Sequence, residues 1–220
     1  MQPILSLALP FIKTHEVIYV PKLLSEWNSE GNSKPLPNSQ LKFIDANYIL
    51  RKESFDPKYV ELIRTMVSIR VISDLPLNIN KSSIFCGMEQ IFKTTQPLIE
   101  RIIVHIHGGG FISMSSRSHQ TYTRKWAKET KSVIFSIDYR LAPEDPFPAA
   151  IEDVWQAYYW IITQAPKYLN VVPKKVVVTG DSAGGNMTAA LTLKCIKENF
   201  RIPDGILMGY PGISMNSPES

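Results

Sequence analysis

Beyond residue 100 the alternation of apolar and polar positions changes period several times, and each change marks an element. Residues 102–106 are a short apolar run rich in β-branched side chains, ended by His107-Gly108-Gly109-Gly110. Such a run, bounded by glycines, reads as a buried strand. The mixed polar stretch 116–130 is predicted helical, and residues 133–137 form a second predicted strand. After a loop stiffened by Pro143, Pro146 and Pro148, residues 149–162 place Ile151, Val154, Trp155, Tyr158, Tyr159 and Ile162 at helical spacing along one broad face. Residues 176–179 are predicted as a third strand, 186–196 as a helix and 206–209 as a fourth strand. Strands alternating with helices predict an α/β fold with a mostly parallel sheet flanked by helices.

The first hundred residues carry weaker patterns. Residues 28–40 hold three Asn, three Ser, two Pro and one Gly, the chemistry of a loop. Residues 41–66 are read as one or two helices and 67–72 as a strand. Residues 1–12 are apolar but contain Pro3 and Pro10, without a basic leading region or a small-residue cleavage site. They read as a packed surface segment rather than a signal peptide. No uncharged apolar run reaches the ~20 residues needed to cross a bilayer, so no transmembrane span is expected.

Composition narrows the class further. With 220 residues, 44% of them hydrophobic and 20% charged, the chain is long and apolar enough for a packed core. Its formal charge of +4 is too small and too scattered to imply a nucleic-acid partner. Two cysteines, Cys86 and Cys195, supply neither a four-cysteine metal site nor a disulfide framework, and they fit a reducing, cytoplasmic setting.

Two glycine-rich segments carry the candidate chemistry. In Gly180-Asp181-Ser182-Ala183-Gly184 the two glycines let the chain turn sharply from strand to helix and hold a serine hydroxyl clear of its neighbours. Ser182 is therefore the candidate nucleophile, with a structural turn as the plainer alternative. Acyl transfer through serine needs fixed donors for the developing oxyanion, and the amides of Gly109, Gly110 and Ala183 are the candidates. Losing one such donor typically costs ~3 kcal/mol of transition-state stabilisation. A phosphate-binding loop is disfavoured, since neither its lysine nor a dinucleotide glycine pattern is present. His107 is read as an organiser of this loop, and His105 is expected to face the opposite way. His15 and His119 are read as structural, and no histidine forms a metal-binding spacing. No metal and no cofactor are expected.

Taken together, His107 to Phe111, Ser113 to His119, Ser136 to Glu144, Pro146 to Pro148 and Gly180 to Asn186 resemble the hormone-sensitive-lipase-like branch of the α/β-hydrolases. The likeness spans about residues 101–213, and the Ser116-Arg117-Ser118-His119 stretch and residues 147–153 look closer to the animal lipase that names the branch than to generic esterases. The resemblance implies an α/β-hydrolase fold, with residues 1–100 as the end of an N-terminal, cap-like region and 101–220 as a partial catalytic domain. It implies Ser182 as the acyl-accepting nucleophile and Gly109, Gly110 and Ala183 as the oxyanion hole. Around them, Gly108, Asp181, Gly184 and Asn186 give support, and Asp138 through Glu144 hold the scaffold. The implied partner is a lipid ester such as an acylglycerol, with peripheral contact to lipid-droplet or membrane surfaces as a family expectation. A short-chain carboxylesterase or deacetylase and a non-catalytic hydrolase-like binding protein are the alternatives.

The chain departs from the family in one respect. The hydrolase order is nucleophile, acid, histidine, yet His15, His105, His107 and His119 all precede Ser182. The expectation is that the 220 residues are part of a longer lipase and nearly inactive alone, with the sheet cut short after its fourth recognised strand. An apolar strand edge left uncovered there would favour aggregation.

Overall fold

A computed structural model describes residues 13–21, 42–45, 66–77 and 97–213. Among them are the strands β1 (Thr14–Pro21), β2 (Lys42–Asp45), β3 (Met66–Ser73), β4 (Ile99–Ile106), β5 (Val133–Asp138), β6 (Val171–Asp181) and β7 (Gly205–Gly209). The helices are α1 (Gln120–Thr130), α2 (Ala149–Thr163), α3 (Ala165–Tyr168) and α4 (Ala183–Lys197). All seven strands share one sheet in the order β2-β1-β3-β5-β4-β6-β7. From β5 through β4 and β6 to β7 the neighbours are parallel, as the alternation of strands and helices predicts. Antiparallel pairing enters at β3, which joins β5 on one side and β1 on the other, with β2 antiparallel beyond β1.

Several boundaries differ from the sequence expectation for local reasons. Strand β6 starts five residues before position 176. Pro173, Lys174 and Lys175 hide that part of the strand, and a register shift between the Ile99 and Arg101 pairings accommodates them. Helix α1 begins at Gln120 rather than at 116, because Ser116 is engaged instead by Asp138. Helix α4 begins at Ala183, directly after Ser182, rather than at 186. The helical reading of 41–66 is corrected at both ends, since 42–45 form β2 and Met66 opens β3. Its remainder, the loop at 28–40 and the segment 1–12 lie outside the described residues. Strand β1 has no counterpart in the sequence reading. Its His15, Val17, Ile18, Tyr19 and Val20 are all buried, so the alternation that marks a half-exposed strand is missing.

The core follows the period of two along β4. Ile102, Val104 and Ile106 point into the large apolar cluster beneath α2 and α4, together with Val154, Tyr158, Trp160 and Leu191. Ile103 points the other way, to the smaller cluster of Ile72, Ala127 and Ile134 beneath α1. Helix α2 is buried nearly all round rather than on one face. Trp160 and Ile161 are fully buried, while Ile151, Tyr159 and Ile162 of the expected face are only partly covered. Its Asp153 survives burial because Arg140 donates to both carboxylate oxygens, at 2.9 and 3.0 Å. No described helix is long and apolar enough to cross a membrane.

Candidate active site

The two glycine-rich segments meet at the carboxyl ends of β4 and β6, where open parallel sheets place their ligand crevices. Ser182 occupies the one-residue junction between β6 and α4 with φ 50° and ψ −117°, a positive-φ conformation that a non-glycine residue holds only where its surroundings enforce it. Here the Ser182 N–H donates to the Gly209 carbonyl of β7 at 2.8 Å, and its own carbonyl accepts from Asn186 N–H at 3.0 Å. The turn is also pressed onto β4. A Cβ on Gly184 would collide with the carbonyl oxygen of Ile106 and lie 2.7 Å from that of His107. The Asn186 side chain closes the turn from outside by donating to the Gly212 carbonyl at 2.7 Å.

The loop after β4 is held from below and from the side. The His107 ring stacks on Tyr139, centroids 4.1 Å apart, and the Tyr139 hydroxyl donates to the His107 carbonyl at 2.8 Å. Gly109 takes φ 120° and Gly110 φ 65°, values open to glycine, and the Gly109 carbonyl accepts the N–H groups of Ile112 and Ser113 at 3.2 and 3.1 Å. With the Gly109 carbonyl turned into the following turn, the Gly110 N–H, which lies opposite it across the trans peptide, points to the other side. Ala183, the first residue of α4, has an N–H that no intrahelical acceptor can take. The structure thus brings Gly109, Gly110, Ser182 and Ala183 to one end of the sheet, on adjacent strands.

Of the predicted supporting residues, Asp181 accepts the Gly108 N–H at 3.2 Å and so ties the loop to the strand that carries Ser182. Asp138 accepts from Ser116 twice, from N–H at 2.5 Å and from Oγ at 2.6 Å. Glu144 is exposed, and the ion pairs of its loop are made by Arg140 with Asp153 and Asp145. Sequence reasoning passed over Arg70 of β3, which is buried and donates through Nε to Ser116 Oγ at 2.9 Å. An arginine inside a β-branched run is the signal that could have found it. Desolvation lowers its pKa, partly offset by the charge of Asp138.

The expectation that His105 and His107 face opposite ways is corrected. Residues two apart on a strand share a face, and both rings lie beside His119, with centroids 5.5 and 5.7 Å away. Both are buried, and burial is the first cause that lowers the pKa of each, to well below the ordinary value for His105. His119, also buried, accordingly has a packed structural role, with Nδ1 3.0 Å from the Ser115 carbonyl and Nε2 3.5 Å from Asp181.

Residues 103–220 match the model of the alpha/beta hydrolase fold family, and the chain belongs to that family. Within it, the resemblance read from the glycine motifs is borne out: the chain is 42% identical over 124 residues to hormone-sensitive lipase of Mus musculus. That match covers 56% of this chain and 16% of the mouse protein. Among solved structures, the hyperthermophilic esterase from the archaeon Pyrobaculum calidifontis is 27% identical with a TM-score of 0.58, over 71% of this chain and 45% of that one. EstE1, a thermophilic carboxylesterase cloned from a metagenomic library, shares the fold at 21% identity and a TM-score of 0.64, over 99% of this chain and 53% of its own. The chain therefore spans well under two thirds of each of these proteins.

Proposed function

We propose that this chain supplies the nucleophile and the oxyanion donors of a serine ester hydrolase that acts on acylglycerols and other lipid esters. The observation that carries the reading is the Ser182 turn, held at φ 50° between β6 and α4 beside the loop of Gly109 and Gly110. In this mechanism Ser182 Oγ attacks the ester carbonyl while a histidine takes its proton, and the amides of Gly109, Gly110 and Ala183 receive the oxyanion. Collapse of the tetrahedral intermediate expels the alcohol, and water activated by the same histidine releases the fatty acid. None of the four histidines of the chain suits that duty. His105, His107 and His119 are buried in the contacts described above, and the ring nitrogens of His15 lie 3.0 and 2.9 Å from Arg70 and Arg124. Turnover by these 220 residues alone is therefore expected to be very low. Contact with a lipid-droplet or membrane surface belongs to the same reading.

A fluorophosphonate probe, followed by peptide mapping of the polypeptide isolated from its source, tests the assignment. The expected result is label on Ser182, lost in Ser182→Ala. A stable 24.9 kDa species that binds a lipid ester without labelling would favour the non-catalytic reading instead. Comparing release from long-chain diacylglycerol with release from short soluble esters then separates the lipase from a short-chain carboxylesterase or deacetylase.

A further inference from the structure

The Asp181 carboxylate, one residue before Ser182, meets polar groups of four residues from three other parts of the chain. Its Oδ1 accepts the Gly108 N–H and the Tyr122 hydroxyl, each at 3.2 Å, and lies 3.5 Å from His119 Nε2. Its Oδ2 accepts the Tyr210 hydroxyl at 3.3 Å. Behind Tyr122 the contacts continue inward: its oxygen is 2.9 Å from His105 Nε2, and His105 Nδ1 is 2.6 Å from Ser136 Oγ. The directions of these bonds follow from elementary donor and acceptor rules. A carboxylate oxygen accepts, so Tyr122 gives its single proton to Asp181. The Tyr122 oxygen is then an acceptor toward His105, which must carry its proton on Nε2. Burial, followed by the neighbouring His119 and His107, keeps the pKa of His105 well below its ordinary value, so the ring holds one proton. Nδ1 is left bare and takes the hydroxyl proton of Ser136. Burial and the charge of Asp181 push the Tyr122 pKa upward, which keeps that hydroxyl a donor.

We propose that Ser136, His105 and Tyr122 form a directional hydrogen-bond relay ending on Asp181, and that Asp181, steadied by it, is a positioning residue for the Gly108 amide and the oxyanion loop. The relay crosses from β5 to β4 to α1 to β6, so one set of proton positions couples the strand before the loop to the strand before Ser182. Gly108 permits this because a Cβ there would run into the Asp181 carboxylate. Oxyanion donors act only if they are fixed before charge develops, and the Gly108 link is what fixes the loop toward Ser182. The positioning role rests on the hydrolase reading above, whereas the polarity of the relay does not.

Long-range proton–nitrogen correlation spectra of the full chain, labelled with nitrogen-15 in histidine, report the tautomer directly. His105 is expected as the Nε2–H form. In Tyr122→Phe, which keeps the ring and removes the hydroxyl, His105 should shift to the Nδ1–H form, and the Gly108 amide should exchange about tenfold faster. Ser136→Ala, a milder change, should leave the Nε2–H form in place, because the relay is oriented from the Asp181 end. An Nδ1–H His105 in the unaltered chain, or a tautomer that responds to Ser136→Ala and not to Tyr122→Phe, would overturn the relay. For the positioning role, Tyr122→Phe should slow phosphonate labelling of Ser182 about tenfold in the source polypeptide, and an unchanged rate would overturn it. Absence of labelling in the unaltered protein, with His105 still in the Nε2–H form, would overturn the hydrolase reading and the positioning role while the relay stands.

Discussion

Ile106 and Ile206 are the same residue in two parallel strands that both pair with β6, and they meet opposite fates. Ile106 is fully buried, since β4 has β5 on its far side and helices over its faces. Ile206 is 43% exposed and its neighbour Leu207 59%, and among the described residues β7 pairs with β6 alone. What differs is the number of neighbours rather than the residue or the strand type. Ile106→Ala should therefore lower the free energy of unfolding by about 2–5 kcal/mol, as for a buried aliphatic truncation. Ile206→Ala should cost under about 1 kcal/mol, because much of that side chain already touches water. Urea titrations of both variants decide the matter, and equal losses would break the comparison.

The same distinction explains how much was legible in the sequence. Features that a few consecutive residues determine were readable: the turn at Ser182, the glycine loop after β4, and the strands and helices beyond residue 101 apart from the four-residue α3. Features set by distant partners were not. The all-round burial of Trp160 and Ile161 depends on what α2 packs against, which the periodicity of α2 does not contain. Asp181 could be named as support from its motif, but Tyr122 and Tyr210 reach it from elements 59 and 29 residues away. Arg70 likewise meets Ser116 across 46 residues. His105 and His107 are a different case, because the period of two along a strand already places them on one face, so that error lay in the reading.

A second test uses the α1 side of β4, where His105 and His107 are buried on the same side as the smaller aliphatic cluster. His105 and His107 both have pKa values lowered below 6.5, burial being the first cause for each. In the unfolded chain they take up protons as the pH falls through about 6.5, while the folded protein resists doing so. Stability is thus unaffected by them above that pH and is lost progressively below it. The loss is at most about 1.4 kcal/mol per pH unit for each histidine, until the folded pKa is reached. Urea midpoints should fall between pH 7.5 and pH 5.5. A flat profile would mean that both rings charge freely, so that this face of β4 is wet like the β7 edge.

The smallest expected effect on stability lies at β7 itself. Ile206, Leu207, Val177, Tyr210 and Ile213 are all exposed at the β6–β7 end of the described sheet. A strand edge with such side chains is a template for pairing with another chain, and a single lysine is an effective block. Leu207→Lys removes little buried area and places a charge where a second edge would approach. The unfolding free energy should change by no more than about 0.5 kcal/mol, while self-association, followed by sedimentation velocity over a range of concentrations, should fall. The informative contrast is with Ile106→Ala, which should destabilise the fold without altering association at equal folded concentration. If Leu207→Lys destabilised the protein as much as Ile106→Ala does, Leu207 would be covered in solution, and β7 would be an interior strand by the same physical criterion that makes β4 one.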